Sequence, residues 1–278
     1  MYYFDNSAST RPSDEVIKVI ESSLKNDYFN PSALYKKGYE LERLMNECRE
    51  IIKKETNGTR VIFTSGGTEA NNLAILGTAF VMRNKGDVLY GAGEHSSVKN
   101  PCIELKKQGF NPIAIPYTSG GTVDLSALEG LLSENTSIVC VMHINNETGV
   151  INDLEAISRL IREKAPQAHF HVDGVQAFMR YKIDMKSLNI HSYSLSGHKI
   201  HGPKGIGALV LSQNVKLEPR LYGGAQESGL RAGTENTIGI LALKKAIETY
   251  PKNHNMLEMK ILLYEKLRAG INIEVNGL

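Results

Sequence analysis

Apolar residues recur at three- and four-residue spacing near 13–25, 38–55, 69–83, 96–107, 153–164 and 235–249, the signature of helices with one buried face. The set Leu41, Leu44, Met45, Cys48, Ile51 and Ile52 shows the period plainly. Between these segments, short runs near 61–63, 87–91, 111–116, 137–142, 169–172, 191–195 and 206–211 alternate or are continuously apolar, which predicts strands. Strand and helix therefore alternate along the chain, and that order predicts an α/β fold in which helices cover both faces of one sheet. In such sheets ligands bind beyond the ends of the strands. Thr68, His95, Asn146, Asp173 and Lys199 each follow a predicted strand or its turn, so placement alone gathers them.

Residues 26–32 read as a loop and 117–122 as a turn. Helix period returns over 256–267 and strand alternation over 271–276. That last strand needs partners the chain does not supply, unless it pairs with the N-terminal segment. The expected organisation is a large domain over 13–249 and a small C-terminal domain that begins at 250–278 and stays incomplete, with 1–12 packing against it.

Composition narrows the class further. With 278 residues, 41% hydrophobic and 22% charged, the chain buries a large core. A net charge of +2, with lysine pairs on amphipathic segments, gives no nucleic-acid signal. Three cysteines without C-x-x-C spacing argue against a disulfide framework or a zinc site and fit a reducing cytosol. The N-terminus has no basic leader region, and no apolar run reaches membrane-spanning length. A cytoplasmic protein with no membrane contact and no metal is expected.

Three segments carry candidate chemistry. The run Ser194 to Gly202 places Lys199 among small and hydroxylated residues after a strand, where an amine reaches an aldehyde carbon while Ser196 and His198 hold a phosphate. Alone, its Ser-Gly-His-Lys core also fits an ordinary surface turn. Upstream, an alternating segment ends at Asp173, placed to hold a pyridine nitrogen in its protonated form, with Gln176 three residues on. Asp173 equally fits a cap for a helix over 175–178. The strand 61–63 runs into a glycine-rich turn at Gly66 and Gly67 and then a helical period, which is how chains build an anion site. Neither common nucleotide loop is present there.

Taken in order, these segments resemble the cysteine desulfurases of the class V aminotransferase group, built on the fold type I pyridoxal-phosphate scaffold with a mostly parallel mixed sheet. The resemblance extends to 3–10, to Thr-Ser-Gly-Gly-Thr-Glu-Ala-Asn-Asn at 64–72, to 94–98, to Met-His-Ile-Asn-Asn-Glu-Thr-Gly at 142–149, to 171–173 and to 223–236. It implies pyridoxal 5'-phosphate as cofactor and L-cysteine as substrate, with sulfur passed to an enzyme cysteine as a persulfide and L-alanine released. It also implies a homodimer and a sulfur-acceptor or iron–sulfur scaffold partner. By position, Lys199 would carry the cofactor aldehyde and move the Cα proton. Gly67, Thr68, Ser196 and His198 would bind the phosphate, and Thr234 the phosphate of the neighbouring subunit. His95 would stack on the ring and act as acid or base, Asp173 would hold the ring nitrogen, and Asn146 and Gln176 would lie near the phenolate oxygen.

The sequence departs from that family in one respect. The attacking cysteine and the arginine that holds the substrate carboxylate belong to a region that would follow Leu278, so truncation of a longer enzyme is expected over a naturally short product. Cys48 and Cys140 read as buried structural residues, and Cys102 is left open. Selenocysteine lyase, a class V aminotransferase acting on another amine, and a cofactor-binding scaffold without turnover stay as alternatives.

Overall fold

A computed structural model describes residues 2–251 and 256–271. In chain order the elements are α1 (Asp14–Asn26), α2 (Lys36–Thr56), β1 (Arg60–Thr64), α3 (Gly67–Val81), β2 (Asp87–Gly91) and α4 (Ser96–Glu104). Then come β3 (Asn111–Ile115), α5 (Leu125–Leu131), β4 (Thr136–Met142), α6 (Leu154–Lys164), β5 (His169–Asp173), β6 (Ser192–Ser196), β7 (Gly207–Leu211), α7 (Thr237–Glu248) and α8 (Met256–Gly270). Side-chain caps mark several starts: Ser13, Asp124, Asp153 and Asn236 each accept from a backbone N–H in the first turn.

The seven strands form one sheet in the order β1-β7-β6-β5-β4-β2-β3. β7 runs antiparallel to both β1 and β6, and the remaining pairs are parallel. Two reversals cancel, so β1 points the same way as β6, β5, β4, β2 and β3. The carboxyl ends of six strands therefore open on one edge of the sheet, as the alternation of elements predicts.

Period-2 burial divides the core. Val61, Phe63, Leu89, Val139, Val141, Phe170 and Val172 join one large cluster with α1, α2, α5, α6 and α7. Their strand neighbours Ile62, Val88, Tyr90, Ile138 and Cys140 pack on the opposite face against α3 and α4. β5 and β6 depart from the apolar rule on that second face. His169, His171 and Asp173 alternate with Phe170 and Val172, Ser192, Ser194 and Ser196 alternate with Tyr193 and Leu195, and all ten residues are buried. The register pairs His171 with Ser192 and Asp173 with Ser194, so a polar stripe crosses the interior under α3.

Two differences from the sequence reading have local causes. α5 was not predicted, because its seven residues are too few to show a helical period. The expected helix over 175–178 is a single turn closed by Ala177 and Phe178 N–H on the Gly174 carbonyl, and it ends where Met179 takes a left-handed backbone (φ 66°). Segment 117–122 is the expected turn, closed by backbone bonds between Thr118 and Thr122 at the tip of a small hairpin. The strand read over 271–276 lies outside the described residues beyond Ile271.

Candidate active site

At the carboxyl edge of the sheet a cavity of about 600 Å³ is lined by Gly67, Thr68, His95, Asn146, Asp173, Gln176, Ser196, His198 and Lys199, together with Ser7, Ala8, Ser97, Met142, Ile144, Glu147 and Val175. Every candidate residue named from sequence except Thr234 lies on its wall. They come from five different connections: α3 begins after β1, His95 precedes α4 after β2, Asn146 follows β4, Asp173 ends β5, and Lys199 follows β6.

Asp173 forms the floor. Its Oδ2 accepts from Asn71 Nδ2 at 2.8 Å, and its Oδ1 accepts from the Val175 N–H at 3.0 Å and from the Ser194 hydroxyl at 3.4 Å. All three donors are neutral, and among the described residues no cation pairs with this buried carboxylate. A buried charge without a counterion is costly, so the site is suited to a cationic guest. Gly174 lets the Tyr193 ring lie directly beneath, since a Cβ there would overlap it.

The opposite wall suits an anion. α3 starts without a side-chain cap, so its first N–H groups and its dipole face the cavity. A Cβ on Gly67 would meet Val175 Cγ2 at 2.5 Å, so glycine keeps that approach open. His198, Lys199 and Lys204 gather nearby, and a second opening lined by Gly66, Thr68, His198 and Lys204 reaches the same helix start. Burial, and then repulsion from Lys199 and Lys204, lowers the His198 pKa.

Between floor and wall stands Lys199. Its amine donates to the carbonyls of Ser7 and Ala8, the latter at 3.0 Å. Burial lowers its pKa, with Arg180 adding repulsion against the attraction of Asp173 and Asp5. Arg180 also donates to the Lys199 carbonyl at 2.6 Å and to the Gln176 carbonyl at 2.6 Å, tying the two cavity segments together. Gln176 Nε2 donates to the Ser7 carbonyl at 2.8 Å. Thr10 holds the N-terminal segment in place, its N–H and hydroxyl both donating to the His198 carbonyl at 2.8 Å.

His95 caps α4. Its Nδ1 accepts from the Ser97 N–H at 3.1 Å and lies 2.8 Å from the Ser97 hydroxyl. Behind it Glu94 is buried, with Oε1 accepting from the Met142 N–H at 2.6 Å and Oε2 without a partner. Burial, and then the charge of Asp173, pushes the Glu94 carboxyl well above the usual carboxylate range. His143 is also buried, its Nδ1 has no partner, and burial pushes its pKa down to about 4. Burial likewise takes His171 down to about 3, against a hydrogen bond with the Ser192 backbone that works the other way.

These histidines set an acid limit on stability. Unfolding returns each to an ordinary value near 6.5, so below that pH the unfolded chain binds protons the folded one refuses, and stability falls as pH falls. At about pH 5 the penalty is roughly 2 kcal/mol for each of the two. The melting temperature of cofactor-free protein should therefore decline from about pH 6.5 downward, and a flat profile to about pH 5 would contradict this.

Thr234 lies elsewhere, exposed on the loop before α7. Two ion pairs pin that loop: Glu227 to Arg49 at 2.5 Å and Arg231 to Glu69 at 3.0 Å. All three cysteines are buried and unbridged, including Cys102, whose Sγ lies 3.8 Å from that of Cys140. Burial pushes the Cys48 thiol up to about 12 and raises Cys140 as well. Sequence reasoning missed Asn71 and Arg180 as site residues. Asn71 follows Gly67 by one helical turn, a local clue, whereas Arg180 carries no signal outside the tertiary structure.

A family model described as Aminotransferase class-V matches residues 2–272. The putative cysteine desulfurase IscS 1 of Bacillus subtilis is 38% identical over 99% of this chain, which covers 74% of that protein. A cysteine desulfurase of Nostoc is 38% identical, with 99% of this chain and 70% of that protein covered. Among solved structures, SspA in complex with cysteine has a TM-score of 0.91 at 33% identity, covering 100% of this chain and 81% of that one. A NifS-like protein from Rickettsia africae has a TM-score of 0.88 at 31% identity, covering 99% and 78%. The chain belongs to the class V aminotransferase family, within its cysteine desulfurase group. Proteins of this group depend on pyridoxal phosphate, and the donor set fits that cofactor at both ends, with an uncapped helix start for the phosphate and an unpaired carboxylate for a ring N–H⁺.

Proposed function

We propose that the chain acts as a pyridoxal-phosphate-dependent cysteine desulfurase that converts L-cysteine to L-alanine and passes the sulfur to a thiol. The observation that carries this is one cavity holding an amine of lowered pKa between a neutral-donor carboxylate and an uncapped helix start. Bound pyridoxal phosphate supplies an electron sink for the pair left at the substrate Cα. Gly67, Thr68, Ser196 and His198 would bind its phosphate, Asp173 would hold the ring nitrogen, and Asn146 and Gln176 would serve the phenolate oxygen. Lys199 would anchor the aldehyde, and its free amine would take the Cα proton, a task its lowered pKa favours. His95 would face the ring and exchange a proton near the substrate thiol. Overall the Cβ–S bond breaks, sulfur bonds to the acceptor thiol as a persulfide, and Cβ takes up a proton.

The three buried cysteines are not placed to receive that sulfur, so the acceptor thiol comes from outside these 278 residues. A sulfur-accepting or iron–sulfur scaffold protein fits the role in a reducing cytosol. A second copy of the chain fits the groove of about 1010 Å³ beside the pinned loop, where Leu34, Tyr35 and Tyr39 are exposed, and would receive Thr234 at its phosphate site.

The test is to load the purified protein with pyridoxal phosphate and supply L-cysteine with an external thiol. Alanine and reducible sulfur should appear in equal amounts without any keto acid. Amino-group transfer that requires a keto acid would replace this reading with an aminotransferase, and cofactor binding without alanine would leave a scaffold.

A further inference from the structure

We propose that Asn71 is a positioning residue, the hub of a buried hydrogen-bonded chain that joins His95 to Asp173 and fixes which nitrogen of His95 presents a proton to the cavity. This rests on the assignment of that cavity as the active site.

The proton positions follow from the partners. Asn71 is fully buried, and its Nδ2 lies 2.8 Å from Asp173 Oδ2 and 2.9 Å from Ser97 Oγ. A carboxylate oxygen only accepts, so the amide nitrogen faces it and both N–H bonds are used. Asn71 Oδ1 then faces His171 Nε2 at 3.0 Å, and that nitrogen must carry the proton. The neutral ring leaves His171 Nδ1 to accept from the Ser192 hydroxyl at 2.8 Å, whose oxygen accepts in turn from His169 Nε2 at 2.7 Å.

The other branch runs toward the cavity. The Ser97 N–H donates to His95 Nδ1, which makes that nitrogen an acceptor, so the Ser97 hydroxyl hydrogen also points there while its oxygen accepts from Asn71. His95 therefore carries its proton on Nε2. It begins a cycle as a donor toward the cavity and not as a base. The polar stripe of β5 and β6 supports a built device, because Asn71, His171, Ser192 and Asp173 are each paired within the chain and a half-satisfied network would be worse than an apolar core. The hub also lies one turn from Gly67 on α3, so one rigid helix carries both the anion-binding start and the link between Asp173 and His95.

Nitrogen-15 labelling of the histidines in cofactor-free protein reads the tautomers directly. His95 and His171 should each show one neutral form with the proton on Nε2. Asn71→Ala should mix the His171 tautomers and raise the dissociation constant for pyridoxal phosphate at least about tenfold, the effect of one lost hydrogen bond to a charged group. Ser97→Ala should disturb the His95 signal and leave His171 alone, and Ser97→Thr should restore it by keeping the hydroxyl. A wild-type spectrum with either proton on Nδ1 overturns the proposal whatever the variants do. So does an Asn71→Ala protein that melts cooperatively and keeps both the native His171 signal and the native affinity. Should Asn71→Ala not fold, the serine pair and the wild-type spectrum still decide. No amino-acid substrate enters these measurements, so expected tautomers without desulfurase activity would count against the substrate assignment alone.

Discussion

Lys199→Ala is expected to cut turnover on L-cysteine by at least about 10⁴-fold, since it removes both the covalent anchor and the base. Among the described residues no other lysine lines the cavity, and Lys204 sits at the neighbouring opening. The change should be nearly silent in folding. It removes two hydrogen bonds to the N-terminal segment at a half-buried position, worth roughly 1 to 3 kcal/mol together, and relieves the desolvation cost of the amine that opposes them. Lys199→Arg should fail as well, because a guanidinium stays charged and cannot serve as nucleophile or base. Alanine release gives the rate, and borohydride reduction of the loaded wild-type protein followed by peptide mass spectrometry gives the attachment site. Label on Lys204, or an alanine variant within tenfold of wild type, would remove Lys199 from the mechanism.

Asp173→Asn is expected to weaken pyridoxal phosphate by about 10²- to 10³-fold, the scale of breaking a buried charge pair. Two effects act together. The negative charge that suits a protonated ring is lost. One end of the new amide must also present N–H to a donor, either Asn71 Nδ2 at 2.8 Å or the Val175 N–H at 3.0 Å. Titration of cofactor-free protein, followed by fluorescence, measures the affinity, and a melting curve checks the fold. An affinity within threefold of wild type would show that this carboxylate is not the partner of the ring.

Much of the site was legible because strand ends are local events. Lys199, Asp173, Asn146 and His95 each follow a short apolar run, and parallel strands must open on one edge, so the pattern located them before any contact was known. Gly67 and Thr68 were readable from a strand, a glycine turn and a helical period in succession. What stayed hidden depends on long separations. Asn71 meets Asp173 across 102 positions, and Lys199 meets Ser7 across 192. In sequence Asn71 sits within an apolar helix, and nothing nearby indicates that it faces a carboxylate. Cys102 was left open for the same reason, since only the packing of α4 on the sheet brings it beside Cys140.

By itself the sequence determined the alternation of helix and strand and the positions of the reactive side chains at strand ends, because periodicity and turn chemistry act over a few residues; its motifs, separately, carry the resemblance that implies a pyridoxal-phosphate enzyme. Tertiary structure alone decided the protonation pattern behind the site. Only packing α3 over β5 and β6 removes water from Asn71, His171 and Ser192, and in its absence each hydrogen must be given to a specific neighbour.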